Sequence, residues 1–288
     1  MDDFVKYQAL GNDYLVVGPG HGGMVLGTDP GPAAVRLLCD RHYGVGADGL
    51  LLGPLAPPRP GDAVPLRIFN ADGSECGMSG NGLRMFALYL AEHYVEGWRA
   101  GAPFAVRTRG GDAAVEIVDF VDCRVRVDMG LPRFASATEH VSLAEDEDDD
   151  LTVTDVHLGV PHTVLFRERI DQNLARRLGP ALAWHSRTPK GTNVSFVRIH
   201  NRRTLDAEVW ERAAGYVPAS GACACASAAV AHQRGLVERD VTVRMPGGTV
   251  DVSIALDGRV SLTGTAQEVM RGSFSPSLRK ELAKRSDA

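Results

Sequence analysis

AVRTRGGDAAVEIVD, residues 105–119, has a second copy downstream in TVRMPGGTVDVSIALD, residues 242–257. Each reads as two short runs of alternating apolar and polar residues around a Gly-Gly turn, the local pattern of a β-hairpin. A helix-like stretch precedes each hairpin: SGNGLRMFALYLAEHY (79–94) and SGACACASAAVAHQRG (220–235). Both open on Ser-Gly, continue in small or apolar residues and close on polar ones, so Ser79 and Ser220 fall at matching helix N-termini. Further upstream, VKYQALGNDYLVV (5–17) and VTDVHLGVPHTVLF (153–166) are strand-like runs with a glycine-centred break. A strand also precedes each helix, in LRIFNADGS (66–74) and LDAEVWERAAG (205–215). Strand, turn, helix and hairpin thus occur twice in the same order. The fold this predicts is α+β, two pseudo-symmetric α/β domains with a site in the cleft between them. The halves are drawn at 1–130 and 131–266, with a tail over 267–288 partly packed on the N-terminal half. The tail ends in a short basic helix, LRKELAKRSDA (278–288), read as an exposed appendage.

The totals agree with an ordinary globular protein. The chain has 288 residues, 44% hydrophobic and 23% charged, and its 31 basic and 36 acidic residues leave a formal net charge of −5. That balance carries no nucleic-acid footprint. No apolar run is long enough to cross a bilayer, and the first residues lack an apolar signal core, so the expectation is a cytoplasmic protein without a membrane partner. The five cysteines, Cys39, Cys76, Cys123, Cys223 and Cys225, fit no zinc spacing and read mainly as small buried hydrophobes. The acidic run AEDEDDD (144–150) reads as a solvated loop, and the Pro- and Gly-rich stretch 53–62 as a connecting loop.

The paired helix ends suggest a chemistry. A helix N-terminus presents unpaired N–H groups and the positive end of the dipole. Gly80, Asn81 and Gly82 after Ser79, and Gly221 and Ala222 after Ser220, leave room for an anion to approach the backbone. Removing the α-proton of an amino acid loads negative charge onto its carboxylate, and preorganised N–H donors stabilise that charge by roughly 3–4 kcal/mol each. Inverting the centre takes two acid/base groups, for which Ser79 and Ser220 are the matched candidates. The alternative for each serine is a simple helix cap, which stabilises by about 1 kcal/mol.

Over nearly its whole length the sequence resembles the diaminopimelate epimerases. The resemblance is carried by QALGNDYLVV, DRHYGVGADGLLL, IFNADGSE, SGNGLRMF, the Pro-His of GVPHTV, GTNVSFV, WERAAG and MPGGTVDV. It implies a duplicated α/β fold without pyridoxal phosphate, metal or other cofactor, and an isomerase whose two cysteines serve as thiolate base and thiol acid. Those cysteines fall on Ser79 and Ser220. The contacts to the non-reacting amino-acid end of the substrate fall on Asn70, Asn193, Glu211 and Arg212. Asn12 matches the Gly-Asn-Asp motif, and Gly80, Asn81, Gly221 and Ala222 match the backbone cradle for the reacting carboxylate. His162 matches the Pro-His element. The resemblance also makes a homodimer acting on a small amino acid the expected assembly.

The departures gather at the same places. Val160 stands where the family has Asn, Tyr216-Val217 where it has Glu-Thr, and Ala222-Cys223 where it has Thr-Gly or Ser-Gly. A serine hydroxyl is a far weaker acid than a thiol and needs help to act as a base. Cys76 lies three residues before Ser79 and Cys223 three after Ser220, which makes them, with His162 and Tyr216, auxiliary candidates. Three functions are compatible with these residues. One is an epimerase acting on diaminopimelate or a related diamino acid. The second is a repurposed enzyme of the same scaffold running a one-base isomerisation, elimination or cyclisation. The third is an amino-acid binder without turnover.

Overall fold

The computed structural model describes residues 3–18, 26–59, 61–94, 101–141, 143 and 151–286, with the backbone alone over 135–139. The acidic run 144–150 lies outside the described residues. Contacts divide the chain into two compact units, residues 1–127 with 264–288, and residues 128–263.

In chain order the elements begin with β1 (Phe4–Ala9), β2 (Asn12–Val17), α1 (Pro32–Cys39), β3 (Gly49–Leu52), β4 (Val64–Pro65), β5 (Arg67–Asn70) and β6 (Glu75–Cys76). Then follow α2 (Gly80–His93), β7 (Phe104–Thr108), β8 (Gly111–Asp119), β9 (Arg124–Gly130), β10 (Arg133–Val141), β11 (Leu151–Leu158) and β12 (Val160–Phe166). The next are α3 (Gln172–Ala183), β13 (Asn193–Asn201), β14 (Thr204–Glu211), β15 (Gly215–Val217) and α4 (Gly221–Gln233). The chain closes with β16 (Asp240–Met245), β17 (Gly248–Ile254), β18 (Val260–Thr265), β19 (Gln267–Gly272) and α5 (Pro276–Ser286).

In the first unit a six-stranded sheet runs β19-β1-β2-β3-β5-β6. Its β1–β2 hairpin turns on Leu10 and Gly11, both at positive φ (58° and 84°). A two-residue loop of this hand matches the twist of the strands it joins. Helix α2 is buried from Gly80 through Leu90 and packs on β1, β2 and β8. A helix apolar on every side belongs inside a fold. The rest of this core joins Leu15, Leu38, Leu50 and Leu52 to Phe274 and Leu282.

That last pair corrects the reading of the terminal basic helix, 278–288, as an exposed appendage. Strand β19 pairs antiparallel with β1 from Phe4↔Gly272 to Gln8↔Gln267, and α5 packs on α1. Leu282 is wholly buried, and the Phe4 and Phe274 rings stack at 5.4 Å. Lys280, Lys284 and Arg285 of α5 are exposed while Arg279 turns inward to buried Asp3, and the density of charge along the sequence hides the apolar positions beneath.

In the second unit the strands run β10-β11-β12-β13-β14-β16-β17-β18, with β15 added to β14. Helix α4 is buried from Cys223 through Ala231 against β11, β12, β13 and β17, its alanines allowing close approach. Helix α3 is capped by Asp171, whose Oδ1 accepts the Leu174 N–H at 2.7 Å, and packs on β14. The Gly-Gly hairpins expected from the repeat are β7–β8 and β16–β17, each with a two-residue loop. Gly111 and Gly248 open the returning strands at φ 114° and 138°, a region that favours glycine.

Candidate functional site

Ser79 and Ser220 have nearly the same backbone. Ser79 sits at φ −138°, ψ 116° and Ser220 at φ −143°, ψ 120°, both extended and both the cap of the helix that follows. Ser79 Oγ accepts the Gly82 N–H at 3.1 Å, and Ser220 Oγ accepts the Cys223 N–H at 3.5 Å. The third N–H of each helix is thereby satisfied while the hydroxyl keeps its own proton to donate. The N–H bond and the positive helix end both favour negative charge on the oxygen. Ser79 is half-buried and Ser220 only 4% exposed. Among the described residues, no histidine, carboxylate or lysine is hydrogen-bonded to either hydroxyl.

Around the first serine a polar relay fixes the opening turn of α2. Arg84, fully buried, donates from Nη2 to Asn81 Oδ1 at 2.8 Å. Asn81 Nδ2 donates to Asn12 Oδ1 at 3.1 Å, and Asn12 Nδ2 to Asp48 Oδ2 at 3.0 Å. Asp48 is the hub of this cluster. Its carboxylate also accepts the Asp13 N–H at 3.1 Å and the Arg41 guanidinium at 2.8 Å, and its carbonyl accepts the Ala71 N–H at 3.1 Å. Neighbouring Asp13 would be raised by burial, but hydrogen bonds from Arg41 and Lys6 hold its carboxyl down at about 2. Asn12, Gly80 and Asn81 are therefore brought together, with the two amides oriented by each other. Asn70 ends β5 next to the same hub, its Nδ2 donating to Ser74 Oγ at 2.9 Å. Asp48 and Arg84 were not singled out from the sequence. Asp48 lies in the DRHYGVGADG stretch, whose density of small and charged residues was the available signal.

The second serine heads a different cluster. Cys223 Sγ lies 3.7 Å from His162 Nδ1, and both residues are buried. His162 on β12 pairs with Asn193 on β13. Asn193 Oδ1 accepts the Arg212 N–H at 3.0 Å, and Arg212 Nη1 donates to the Lys190 carbonyl at 3.0 Å. Ser220, Cys223, His162, Asn193 and Arg212 thus form one contiguous set, with half-buried Glu211 beside Arg212 on β14. The Ser220 N–H reaches Met245 Sδ at 3.5 Å, a partner that only the folded hairpin reveals.

Two auxiliary candidates are occupied elsewhere. The Tyr216 hydroxyl donates to Glu208 Oε2 at 2.8 Å and its ring lies under Arg176 at 4.7 Å, so it is spent on the sheet. Burial and the Glu208 carboxylate push its pKa up to about 12. Cys76 Sγ donates to the Met78 carbonyl at 3.1 Å. Burial pushes the Cys223 thiol up to about 12, so it is protonated at neutral pH.

A cavity of about 270 Å3 in the second unit is lined by His162, Pro161, Thr192, Thr188, Asp155 and Arg133. A larger one, about 760 Å3, lies between α1 and α5 beside Tyr43 and touches none of the candidate residues. Chemistry, not volume, therefore identifies the site. Among the described residues no group of three or more His, Cys, Asp and Glu gathers that could hold a metal ion, and no helix is long and apolar enough to cross a membrane.

Comparison with known proteins gives a consistent answer. The family described as diaminopimelate epimerase matches residues 4–135 and 154–269. A diaminopimelate epimerase 2 of Nostoc sp. is 37% identical over 286 residues, covering 94% of this chain and 95% of its own. The diaminopimelate epimerase of Desulfitobacterium hafniense is 37% identical over 281 residues, covering 94% and 97%. Among solved structures, a probable proline racemase from Agrobacterium radiobacter superposes with a TM-score of 0.72 at 16% identity, covering 100% of this chain and 99% of its own. At that identity the likeness concerns the fold.

Proposed function

Because the chain belongs to the diaminopimelate epimerase family, we propose that it is a cofactor-independent isomerase that removes and returns the α-proton of an amino acid. Diaminopimelate or a related diamino acid is the substrate in this reading. Ser79 and Ser220, one from each unit, are the proton-handling groups. The observation that carries it is the identical setting of the two serines: same dihedral region, same helix-capping bond, same position ahead of a small-residue turn.

The steps follow from these groups. The backbone N–H groups of Gly80, Asn81, Gly221 and Ala222 hold the reacting carboxylate and take up the charge that develops as the α-proton leaves, each donor contributing about 3–4 kcal/mol. One serine, entering as the alkoxide that its helix N-terminus favours, takes up the α-proton, and the other hydroxyl delivers its own to the opposite face, so that the two serines exchange protonation states. Glu211 suits the ammonium and Arg212 the carboxylate of the non-reacting end, with Asn70 and Asn193 completing its recognition. The same reading takes the protein as a cytoplasmic homodimer whose partner is a small molecule and not a nucleic acid, which light scattering of the purified chain checks for its assembly.

The test is deuterium wash-in at the α-carbon of LL- and meso-diaminopimelate in heavy water. Incorporation supports the reading. No exchange with any diamino acid removes it.

A second reading draws on the absence, among the described residues, of a histidine, carboxylate or lysine hydrogen-bonded to either serine. A scaffold relying on hydroxyls alone suits a one-base isomerisation or elimination on a more acidic α-carbon. Restoring cysteine at both positions separates the two: a gain of epimerisation favours the first, and loss of a native reaction the second.

A further inference from the structure

Two residues before each serine, the chain is tied to the tip of its own unit's glycine hairpin. In the first unit the loop joining β7 to β8 is Arg109-Gly110, and the Gly110 N–H donates to the Gly77 carbonyl at 2.9 Å. In the second the loop joining β16 to β17 is Pro246-Gly247, and the Gly247 N–H donates to the Pro218 carbonyl at 2.8 Å. The same bond is thus made twice, from the same loop position to the same offset from the serine.

The approach is close enough to require glycine in the first copy. A Cβ on Gly110 would lie 2.6 Å from the Gly77 oxygen and 2.9 Å from its carbonyl carbon. The residue just before each loop adds a contact. Thr108 Oγ1 accepts the Gly110 N–H at 3.2 Å, and Met245 Sδ accepts the N–H of Ser220 itself at 3.5 Å. Secondary structure does not demand these bonds. They join a hairpin tip to the short segment that leads into the serine and its helix.

We propose that the two hairpin tips are positioning elements for the serines: Gly110 for Ser79, and Gly247 with Met245 for Ser220. This rests on the serines being the proton-handling groups. The tie sets the direction in which the extended residue enters the helix, and with it the placement of Oγ and of the first free N–H groups. A misplacement of about 1 Å at a reacting group lowers rate by about 100-fold. The hairpin can apply that control without touching substrate. Each tip serves one serine, so its effect belongs to one face of the α-carbon.

The experiment uses the full chain with Gly110→Ala, Met245→Leu and, as a control, Arg109→Ala, whose side chain is exposed in the same loop. The first measurement is amide hydrogen exchange at Gly82 and Cys223, the N–H groups capped by the two serines. Gly110→Ala is expected to speed exchange at Gly82 by about 10-fold or more and leave Cys223 unchanged. Met245→Leu is expected to do the reverse, and Arg109→Ala to change neither. The second is α-proton exchange from LL- and meso-diaminopimelate. Each positioning variant should slow exchange on one face by about 10–100-fold, with KM within about 3-fold. Unchanged protection, or loosening of both helices together by either variant, overturns the proposal. Met245→Leu keeps it decidable should Gly110→Ala not fold. If the wild-type chain exchanges no α-proton, the functional reading fails and the amide measurement alone decides the tie.

Discussion

The Cys223 thiol and the His162 imidazole face each other at 3.7 Å, with 0% and 1% of the two residues exposed. Burial pushes the thiol up to about 12 and the imidazole down to about 4, so at neutral pH both are uncharged. This is a neutral packing pair, unlike the thiolate–imidazolium pair of a cysteine nucleophile. Cys223→Ala is accordingly expected to leave α-proton exchange within about 3-fold of wild type and to destabilise by roughly 1–2 kcal/mol through the small cavity left behind. In the native protein, thiol reagents should reach half-buried Cys76 and Cys123 well before Cys223 or Cys225. Rapid native-state labelling of Cys223 would contradict its assignment as a space-filler.

The same pair sets an acid limit on stability. His162 is lowered from the ordinary imidazole value chiefly by burial, with the charges of His157 and Arg212 adding to it. The unfolded chain therefore takes up this proton at higher pH than the native one. The neutral histidine's contribution is complete above about pH 6.5 and is lost as pH falls toward about 4, a loss on the order of 3 kcal/mol. Denaturant midpoints measured across that window should fall with decreasing pH in the wild type and fall less in His162→Phe. Parallel slopes for the two would remove the assignment.

Each serine is both a cap and a proton carrier in the proposed reaction, and the two roles have different magnitudes. Ser79→Ala and Ser220→Ala should each destabilise by about 1 kcal/mol and abolish deuterium wash-in. Ser79→Cys with Ser220→Cys should raise wash-in at least about 10-fold at pH 8, since a thiol at a helix N-terminus ionises where a hydroxyl does not. Retained exchange in both alanine variants would exclude the serines from the chemistry.

Behind Glu211 and Arg212 the packing is tight. A Cβ on Gly179 of α3 would lie 2.6 Å from Cγ and 2.7 Å from Cβ of Trp210. Gly179→Ala is expected to displace the indole and lower stability by about 1–3 kcal/mol. Because Trp210 directly precedes Glu211, diamino-acid affinity should weaken as well. Calorimetry with meso-diaminopimelate checks this, and unchanged affinity would show that β14 absorbs the shift.

What was legible in the sequence was local. The Gly-Gly hairpins, the Ser-Gly helix starts and the glycine-centred breaks each announce themselves within about ten residues, because turn geometry and capping depend on neighbours in the chain. The duplication followed from their order. What was hidden was long-range. Asp48 gathers Asn12, Asp13, Arg41 and Ala71 through contacts that no spacing encodes. Met245 as acceptor for Ser220, and the burial that neutralises Cys223, depend on packing between distant segments. The reading of 278–288 as an exposed appendage failed for the same reason. Leu278 and Leu282 lie among five charged residues between 278 and 286, and only the folded chain shows which side of α5 is covered.

That C-terminal return also bears on how the molecule is made. The unit spanning 128–263 is continuous, whereas the unit bearing Ser79 draws β19 and α5 from the end of the chain. On the ribosome, Phe4 must wait for Gly272 before β1 has both neighbours. Domains close as their residues emerge, so the later-encoded unit can finish first while the earlier one still carries an open strand edge. Until β19 covers it, that edge offers unpaired backbone groups for mispairing. The end of the protein thus acts as the latch of its beginning.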